Sequence, residues 1–238
     1  MRFKDKVVLI TGAGRGLGRR ISLAFGQEGA RLAINDLTPI NLDETEELLL
    51  ANGADCLSVT CDISKKAQVQ GMIESVIDHY GNLDILVNNA GVEPSSPLMT
   101  MDEWDWDRTM AVNLKGPFLT MQSTARIMKD QGGGKIVNIG AGNFRGDNLA
   151  CRSAYAASKE GLSALTRAAA IEMAPHNIRV NMVAPGRIRP VNPGSETASV
   201  DDSLWYAAVA EAVLYLCSNE AKFVTGEVIS MKGDMEVD

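Results

Sequence analysis

The sequence predicts an α/β fold in which a mostly parallel sheet is covered by helices on both faces. Short runs rich in apolar and β-branched residues alternate with longer stretches of helical period along the chain. Two of these runs, Val7–Ile10 and Ile85–Val87, are apolar at every position, as a strand buried on both faces requires. Such alternation implies strand–helix–strand crossovers, and therefore a doubly wound parallel sheet.

Seven strands and six helices follow from this pattern. The predicted strands are Val7–Thr11, Arg31–Asp36, Cys56–Thr60, Leu83–Asn88, Lys135–Ile139, Arg179–Val183 and Glu227–Met231. The predicted helices are Leu17–Gln27, Asp43–Ala51, Lys65–Tyr80, Asp102–Lys129, Ala154–Ala174 and Leu204–Ser218. Prolines, a glycine and small polar residues suppress any period across Arg187–Ser203, which is predicted to be a loop. We expect residues 1–238 to form one domain.

Composition excludes several classes of function. The chain has 238 residues and a net charge of −7, with no basic run, so a nucleic-acid partner is not expected. No apolar run reaches the length of about 18 residues that a membrane helix needs. The first residues lack a signal-peptide pattern, which predicts a cytoplasmic protein. The four cysteines have no Cys-x-x-Cys spacing, so we expect free thiols and no metal site.

A glycine-rich segment, Thr11-Gly-Ala-Gly-Arg-Gly-Leu-Gly18, joins the first strand to the first helix. Glycines let the backbone turn sharply and approach a diphosphate, which the N–H groups and dipole of the following helix stabilise. The segment therefore predicts a dinucleotide site with these members: Gly12, Arg15, Gly16, Leu17 and Gly18.

Asp36 at the end of the second strand, followed by Leu37, indicates which dinucleotide is bound. A carboxylate at this place accepts the hydroxyls of the adenosine ribose and repels a 2′-phosphate. Arg15 favours the opposite choice, because a basic residue in the glycine loop can pair with that phosphate. The effect of Asp36 is the more direct, so the sequence favours NAD over NADP.

Tyr155 and Lys159 are four residues apart on a predicted helix and so share one face. A tyrosine has an ordinary pKa of about 10, and a nearby ammonium group favours the phenolate and lowers that pKa. This pair is therefore a candidate for proton transfer: Tyr155 acts as base in oxidation and as acid in reduction.

Together, five motifs resemble the short-chain dehydrogenase/reductase family, in the family's order and over nearly the whole chain. They are Thr11-Gly-x-x-x-Gly-x-Gly18, Asn88-Asn-Ala-Gly91, Asn113, Tyr155-x-x-x-Lys159 and Pro185-Gly186. The resemblance implies a single-domain Rossmann-type fold with seven strands. It also implies hydride transfer between a nicotinamide cofactor and a small alcohol or ketone substrate.

The resemblance also implies roles for individual residues. Asp62 and Ile63 would contact the adenine, and Asn89, Ala90 and Gly91 would pass beneath the ribose. Lys159 would hold the nicotinamide ribose, and Asn113 would anchor a water that links the lysine to solvent. Around the nicotinamide would lie Pro185, Gly186 and Ile188. For Asn88 we expect a structural role, with its side chain tying neighbouring strands together.

Two residues of the family pattern are missing, and one of them is a threonine, in whose place this chain has Pro190. The family places a serine about thirteen residues before the tyrosine, where its hydroxyl binds the substrate oxygen; this chain has Ala141 or Gly142 there, depending on the alignment. Asn143 could donate to that oxygen instead, although a turn role suits it better. We expect Ser153 to serve as a helix cap. The segment from Pro190 is also shorter and more polar than the family's helical lid.

Three functions remain open from the sequence. The first is an NAD-dependent oxidoreductase that interconverts a secondary alcohol and a ketone, weakened by the missing serine. The second is a dinucleotide-binding protein without efficient chemistry, acting as a sensor or partner subunit. The third is a reductase of a 3-oxoacyl thioester, a group of enzymes that usually prefers NADPH.

Family members pair through their long helices, so a homodimer or homotetramer is expected.

Overall fold

The computed structural model describes residues 1–142, 149–186 and 200–231. It contains one seven-stranded sheet with the order β3-β2-β1-β4-β5-β6-β7, and every neighbouring pair is parallel. The strands are β1 (Val7–Thr11), β2 (Arg31–Asp36), β3 (Cys56–Thr60), β4 (Ile85–Asn88), β5 (Gly134–Ile139), β6 (Ile178–Pro185) and β7 (Val228–Met231). The predicted fold class is therefore confirmed.

Seven α-helices connect and flank these strands in the described parts of the chain. They are α1 (Gly16–Gln27), α2 (Pro39–Ala51), α3 (Lys66–Tyr80), α4 (Glu103–Met110), α5 (Gly116–Asp130), α6 (Ser153–Met173) and α7 (Val200–Cys217). Short 3₁₀ turns occur at Leu98–Thr100 and Ala174–His176.

Several of the predicted elements were wrong in detail; the helix expected to begin at Asp43, for example, begins at Pro39. The long helix expected over Asp102–Lys129 is interrupted by a π-helical segment at Ala111–Lys115, which separates α4 from α5. The loop expected to run to Ser203 ends earlier, because α7 begins at Val200. Aspartate and serine, which follow Val200 in the sequence, are common in loops, but they are also favoured around the first turn of a helix.

The sheet is buried on both faces, as the apolar strands predicted. Along β1, Val8 and Ile10 belong to a core shared with α1, α2 and α7, whereas Val7 and Leu9 belong to a core shared with α3, α5 and α6. All four of these side chains have no exposed surface. This alternation is that of a doubly wound sheet.

The strand order changes direction at β1 and β4. From β1 the chain continues outward to β2 and β3, then returns to add β4 on the other side of β1. In open α/β sheets a ligand binds beyond the carboxyl ends of the strands at such a switch point. The loops after β1 and β4 are the glycine segment and the Asn-Asn-Ala-Gly segment, so the topology brings the two predicted motifs together.

The described residues were searched for membrane-spanning helices, disulfide bonds and metal-binding clusters. No helix among them is both long and apolar enough to cross a membrane. All four cysteines, which lie within the described ranges, are free thiols. Over the same parts of the chain, no group of three or more histidine, cysteine, aspartate or glutamate side chains is placed to hold a metal ion.

Candidate active site

The glycine segment forms a tight turn directly above β1 and β4. Gly12 has a φ of 63°, and a Cβ there would lie 2.6 Å from the Cα of Ala90. A Cβ on Gly18 would overlap the carbonyl oxygen of Gly12 and would lie 2.5 Å from Nδ2 of Asn89. Any side chain at these positions would displace backbone, so glycine is required where α1 begins.

Asp36 faces this turn from the end of β2. Its Oδ2 accepts a hydrogen bond of 2.9 Å from the backbone N–H of Gly14, and its Oδ1 accepts one of 3.1 Å from the backbone N–H of Thr38. Each carboxylate oxygen can accept more than one bond, so Asp36 can still receive ribose hydroxyls. Arg15 is exposed at the same turn.

A cleft of about 720 Å³ opens at this edge of the sheet. It brings together twelve residues that the sequence assigned to a cofactor: Gly12, Arg15, Gly16, Leu17, Gly18, Asp36, Leu37, Asp62, Ile63, Asn89, Ala90 and Gly91. Pro185 ends β6 and Gly186 pairs with Met231 through a 2.6 Å backbone bond, but neither lines the cleft. Ile188 lies outside the described residues, as does Asn143.

The cleft also has walls that the sequence did not indicate. Lys65 stands at the start of α3, and Trp104, Arg108 and Val112 come from α4 and the π-helical segment. The guanidinium of Arg108 lies 5.1 Å from the centre of the Trp104 ring. No motif marks these positions, which come from the starts or ends of different helices.

Asn88 has the structural role that we expected. Its Nδ2 donates a hydrogen bond of 2.9 Å to Oδ1 of Asn138 in β5, while its Oδ1 accepts one of 2.7 Å from Thr120. All three side chains are fully or almost fully buried, so the bonds tie β4 to β5 and α5.

Asn113 uses its side chain for contacts that the sequence did not suggest. Its Oδ1 accepts from the backbone N–H of Val92 at 2.8 Å, and its Nδ2 donates to the carbonyl of Val92 at 2.9 Å. Nδ2 also lies 3.1 Å from Oγ of Ser158 in α6. Asn113 therefore joins the π-helical segment to the chain after β4 and to α6, and π-helical turns often accompany functional sites.

Lys159 and Tyr155 lie together beside Gly91, although neither is among the residues that line the cleft. The Lys159 ammonium nitrogen is 5.7 Å from the centre of the Tyr155 ring and donates a 2.8 Å hydrogen bond to the carbonyl of Ile139. A Cβ on Gly91 would be only 3.6 Å from that nitrogen. The lysine thus reaches the segment that lines the cofactor cleft.

The pKa values at this end of the site differ from the sequence expectation. Burial, with a smaller effect of Glu93, raises the pKa of Tyr155 to about 12, and Arg152 opposes the rise. Burial also lowers the pKa of Lys159 to about 8. The net shift of the Tyr155 pKa is upward because desolvation of the phenolate is the largest effect, and the lowering of that pKa by Lys159 stays a prediction.

A charged pair, Glu93 and Arg152, lies beside Tyr155. Glu93 lies in the segment after β4, and Arg152 immediately precedes α6; their side chains form an ion pair. The Arg152 guanidinium carbon is 5.0 Å from the centre of the Tyr155 ring. The sequence offered no signal for this pair, because the two residues belong to no motif and are distant along the chain.

The position of the missing serine lies at the end of β5. The N–H groups of Gly140 and Gly142 continue the pairing with β6, donating to the carbonyls of Val183 at 2.8 Å and Pro185 at 2.7 Å. Ala141 lies between them and carries no hydroxyl. Ser153 is not the helix cap that we expected: Arg152 holds the cap position, and the buried Ser153 hydroxyl has no hydrogen-bond partner in the part of the chain that the structure describes.

Comparison with known proteins decides the family. The family model for short chain dehydrogenases matches residues 6–199. The chain belongs to the short-chain dehydrogenase family. An uncharacterized oxidoreductase of Thermotoga maritima is 37% identical to this short-chain dehydrogenase, with 98% of each chain covered. A 3-oxoacyl-[acyl-carrier-protein] reductase of the same organism is 36% identical, with 100% of each chain covered.

A solved structure matches the fold of this short-chain dehydrogenase closely. NAD⁺-bound xylitol dehydrogenase superposes with a TM-score of 0.88 at 28% identity, covering 98% of this chain and 100% of the other. The resemblance inferred from the sequence motifs is therefore confirmed. Short-chain dehydrogenases are oxidoreductases that bind a nicotinamide dinucleotide, and the cleft described above lies where the fold places such a ligand.

Proposed function

We propose that the protein is an NAD-dependent oxidoreductase that interconverts a secondary alcohol and a ketone, with Tyr155 as the acid and base. The observation that carries this proposal is the placement of Tyr155 beside Lys159, whose ammonium nitrogen lies 3.6 Å from the place of a Cβ on Gly91, a residue that lines the cofactor cleft. A buried lysine next to a tyrosine is costly to maintain, and proton transfer beside a nicotinamide accounts for it.

The residues of the cleft fit a dinucleotide. The turn leaves no space for a side chain at Gly12 or Gly18 and presents the N-terminus of α1 to a diphosphate. Asp36 would receive the adenosine ribose hydroxyls, and Asp62 and Ile63 would flank the adenine. Lys159 would hold the nicotinamide ribose, and Pro185, Gly186 and Ile188 would lie at the nicotinamide. When bound, the dinucleotide supplies or accepts the hydride.

Tyr155 handles the proton. With a pKa raised to about 12, its hydroxyl is protonated at neutral pH and is ready to donate to a ketone oxygen. Removal of a proton from an alcohol needs the phenolate, which burial disfavours. The site is thus better prepared for ketone reduction than for alcohol oxidation near pH 7.

The choice of NAD is supported by Asp36. Its carboxylate lies within hydrogen-bond distance of the Gly14 N–H, so a 2′-phosphate would bring negative charge against it. The NAD⁺-bound state of the similar xylitol dehydrogenase agrees with this choice. Asp36→Asn keeps an acceptor but removes the charge, and we expect it to weaken NADH binding and strengthen NADPH binding. Arg15→Gln is the reciprocal variant and should weaken NADPH binding only.

Activity is tested with a panel of ketones and secondary alcohols. We expect substrate-dependent consumption of NADH that disappears in Tyr155→Phe, because phenylalanine keeps the ring but cannot transfer a proton. Binding of NADH by calorimetry should persist in that variant. A panel that gives no signal with the wild-type protein, although NADH binds, would contradict the proposal.

A dinucleotide-binding role without efficient chemistry is a second candidate, and Ala141 favours it. A donor to the substrate oxygen contributes about 10²–10³ in rate in other enzymes, and neither Ala141 nor Gly142 can supply one. Under this role the same calorimetry shows cofactor binding, while the panel of ketones and alcohols gives no turnover.

A 3-oxoacyl-thioester reductase is a third candidate. It is favoured by the similar acyl-carrier-protein reductase and opposed by Asp36. Strong NADPH-dependent reduction of acetoacetyl thioesters would support it.

A homodimer, or a homotetramer built from it, is proposed from a groove between two helical elements. The groove has a volume of about 600 Å³ and is almost wholly apolar, with these residues along it: Asp107, Met110, Ala111, Leu114, Lys115, Phe118, Gly161 and Leu165. Phe118 is 43% exposed there. We expect Phe118→Glu to reduce the mass measured by light scattering to that of a monomer. Leu48→Glu, which alters a side chain 42% exposed on α2, is the control.

A further inference from the structure

Near Tyr155, the described residues include a charged pair that the family pattern does not supply. The chain after β4 and the turn before α6 meet here in two ways. Ser96 donates a backbone hydrogen bond of 2.9 Å to the carbonyl of Cys151, and Glu93 pairs with Arg152. Two independent contacts therefore hold these segments together next to Tyr155.

Arg152 is well placed to act on the tyrosine. It holds the cap position of α6, three residues before Tyr155. The guanidinium carbon lies 5.0 Å from the ring centre, within the range in which a cation is attracted to an aromatic face. The arginine side chain is 24% exposed, so its charge is only partly screened.

Glu93 fixes the arginine from the other side. Its side chain is 41% exposed, and the pair presents both a donor and an acceptor beside the tyrosine. The described charged groups facing Tyr155 are Glu93 from the β4 segment and, from α6 and its first turn, Arg152 and Lys159. Lys159 directs its ammonium nitrogen to the carbonyl of Ile139, which leaves Arg152 as the cation stacked nearest to the ring.

We propose that Arg152, held by Glu93, is a positioning residue that fixes the Tyr155 ring and supplies positive charge beside its hydroxyl. In the family a serine steadies the tyrosine; Ala141 cannot do so, and the stacked guanidinium takes over that part of the task. The inference rests on the proposed role of Tyr155 in proton transfer. The electrostatic effects on Tyr155 have the direction that this role requires: Arg152 lowers the pKa of Tyr155, and Glu93 raises it.

The test measures the tyrosine directly, whether or not a substrate is known. The chain has four tyrosines, so the ¹³Cζ signal of Tyr155 can be assigned by its loss in Tyr155→Phe and then followed with pH. We expect Arg152→Gln to raise the titration midpoint and to broaden the signal, since a nearby cation favours the phenolate. Glu93→Gln, which can still accept from Arg152, should lower it, and Arg152→Lys should return the midpoint towards that of the wild type.

Lys222→Gln is the matched control. Lys222 lies 4.9 Å from the centre of the Phe223 ring, so this variant removes a cation from an aromatic ring remote from the site. Midpoints and line widths in Arg152→Gln that equal those of the control would overturn the inference. If Arg152→Gln does not fold, Glu93→Gln and Arg152→Lys decide the outcome by the same signal.

The outcome can be separated from that of the proposed function. Where turnover is measurable, Arg152→Gln should lower kcat about tenfold with little change in the KM for NADH, as expected for a residue that acts on the acid rather than on the cofactor. The expected shifts without any turnover in the wild type would sustain the inference and refute the proposed activity. Turnover with no shift would refute the inference alone.

Discussion

Lys159 donates a hydrogen bond of 2.8 Å to the carbonyl of Ile139, the last residue of β5. The lysine is 5% exposed, and burial lowers its pKa to about 8 although Glu93 acts in the opposite direction. A cation is thus held in a poorly solvated place between β5 and α6, where it costs stability. The same placement brings its charge to Gly91 and the cofactor cleft.

This cost predicts that Lys159→Met stabilises the fold. The folded-state pKa of about 8 lies below the ordinary 10.5, so the unfolded chain binds more protons between these values and wild-type stability rises with pH across that window. The advantage of methionine is therefore complete below pH 8 and declines towards pH 10.5. The shift of the Lys159 pKa from 10.5 to about 8 corresponds to a stabilisation of about 3 kcal/mol when the charge is removed. Loss of the hydrogen bond to Ile139 offsets about 1 kcal/mol of that stabilisation.

Urea unfolding at about pH 6.5 and pH 9.5 measures this effect. Lys129→Met, at an exposed position in α5, is the control and should leave the free energy of unfolding with the same pH dependence as the wild type in that range. An advantage of Lys159→Met that is equal at the two pH values would show that the lysine is not desolvated in the folded state.

The raised pKa of Tyr155 predicts a pH dependence that differs between the two reaction directions. Oxidation requires the phenolate, so its rate should rise about tenfold per pH unit from pH 6 to 9, well below the pKa of about 12. Reduction requires the neutral phenol and should change little over that range. Initial rates with NAD and NADH measure both. A plateau in oxidation below pH 8 would show that the bound cofactor and Lys159 outweigh burial.

The glycine turn predicts a contrast between two Gly→Ala substitutions. In Gly18→Ala the new methyl group would overlap the Gly12 carbonyl oxygen, so we expect loss of NADH binding and a lower melting temperature. Gly71 lies on the exposed side of α3, and a methyl group added there would have no atom within 4 Å. Gly71→Ala should therefore stabilise the protein by about 0.5–1 kcal/mol. Calorimetry and thermal unfolding check both variants, and equal behaviour would contradict the close approach at Gly18.

The sequence predicted those features that depend on local pattern. Apolar period located β1 at Val7–Thr11, the bounds that the structure has, and the ordered motifs brought the glycine turn and Asp36 to one cleft. It failed where distant segments decide the geometry. The π-helical segment around Asn113 accompanies bonds to Val92 and Ser158, and the Glu93–Arg152 pair depends on the meeting of two loops. The pKa of Tyr155 depends on burial, which residue spacing does not encode.

Two serine substitutions test whether the missing hydroxyl limits activity. Ala141 already carries a Cβ and lies between two residues paired with β6, so Ala141→Ser adds a hydroxyl at a fixed place without displacing backbone. We expect it to raise kcat for ketone reduction by up to about 10². Gly142→Ser is the contrasting variant: its Cβ would lie 3.0 Å from the carbonyl oxygen of Ala184, so stability should fall and activity should not rise. Steady-state rates and melting temperatures measure both effects. No gain in Ala141→Ser, with the fold and NADH binding intact, would favour the dinucleotide-binding role over the enzyme.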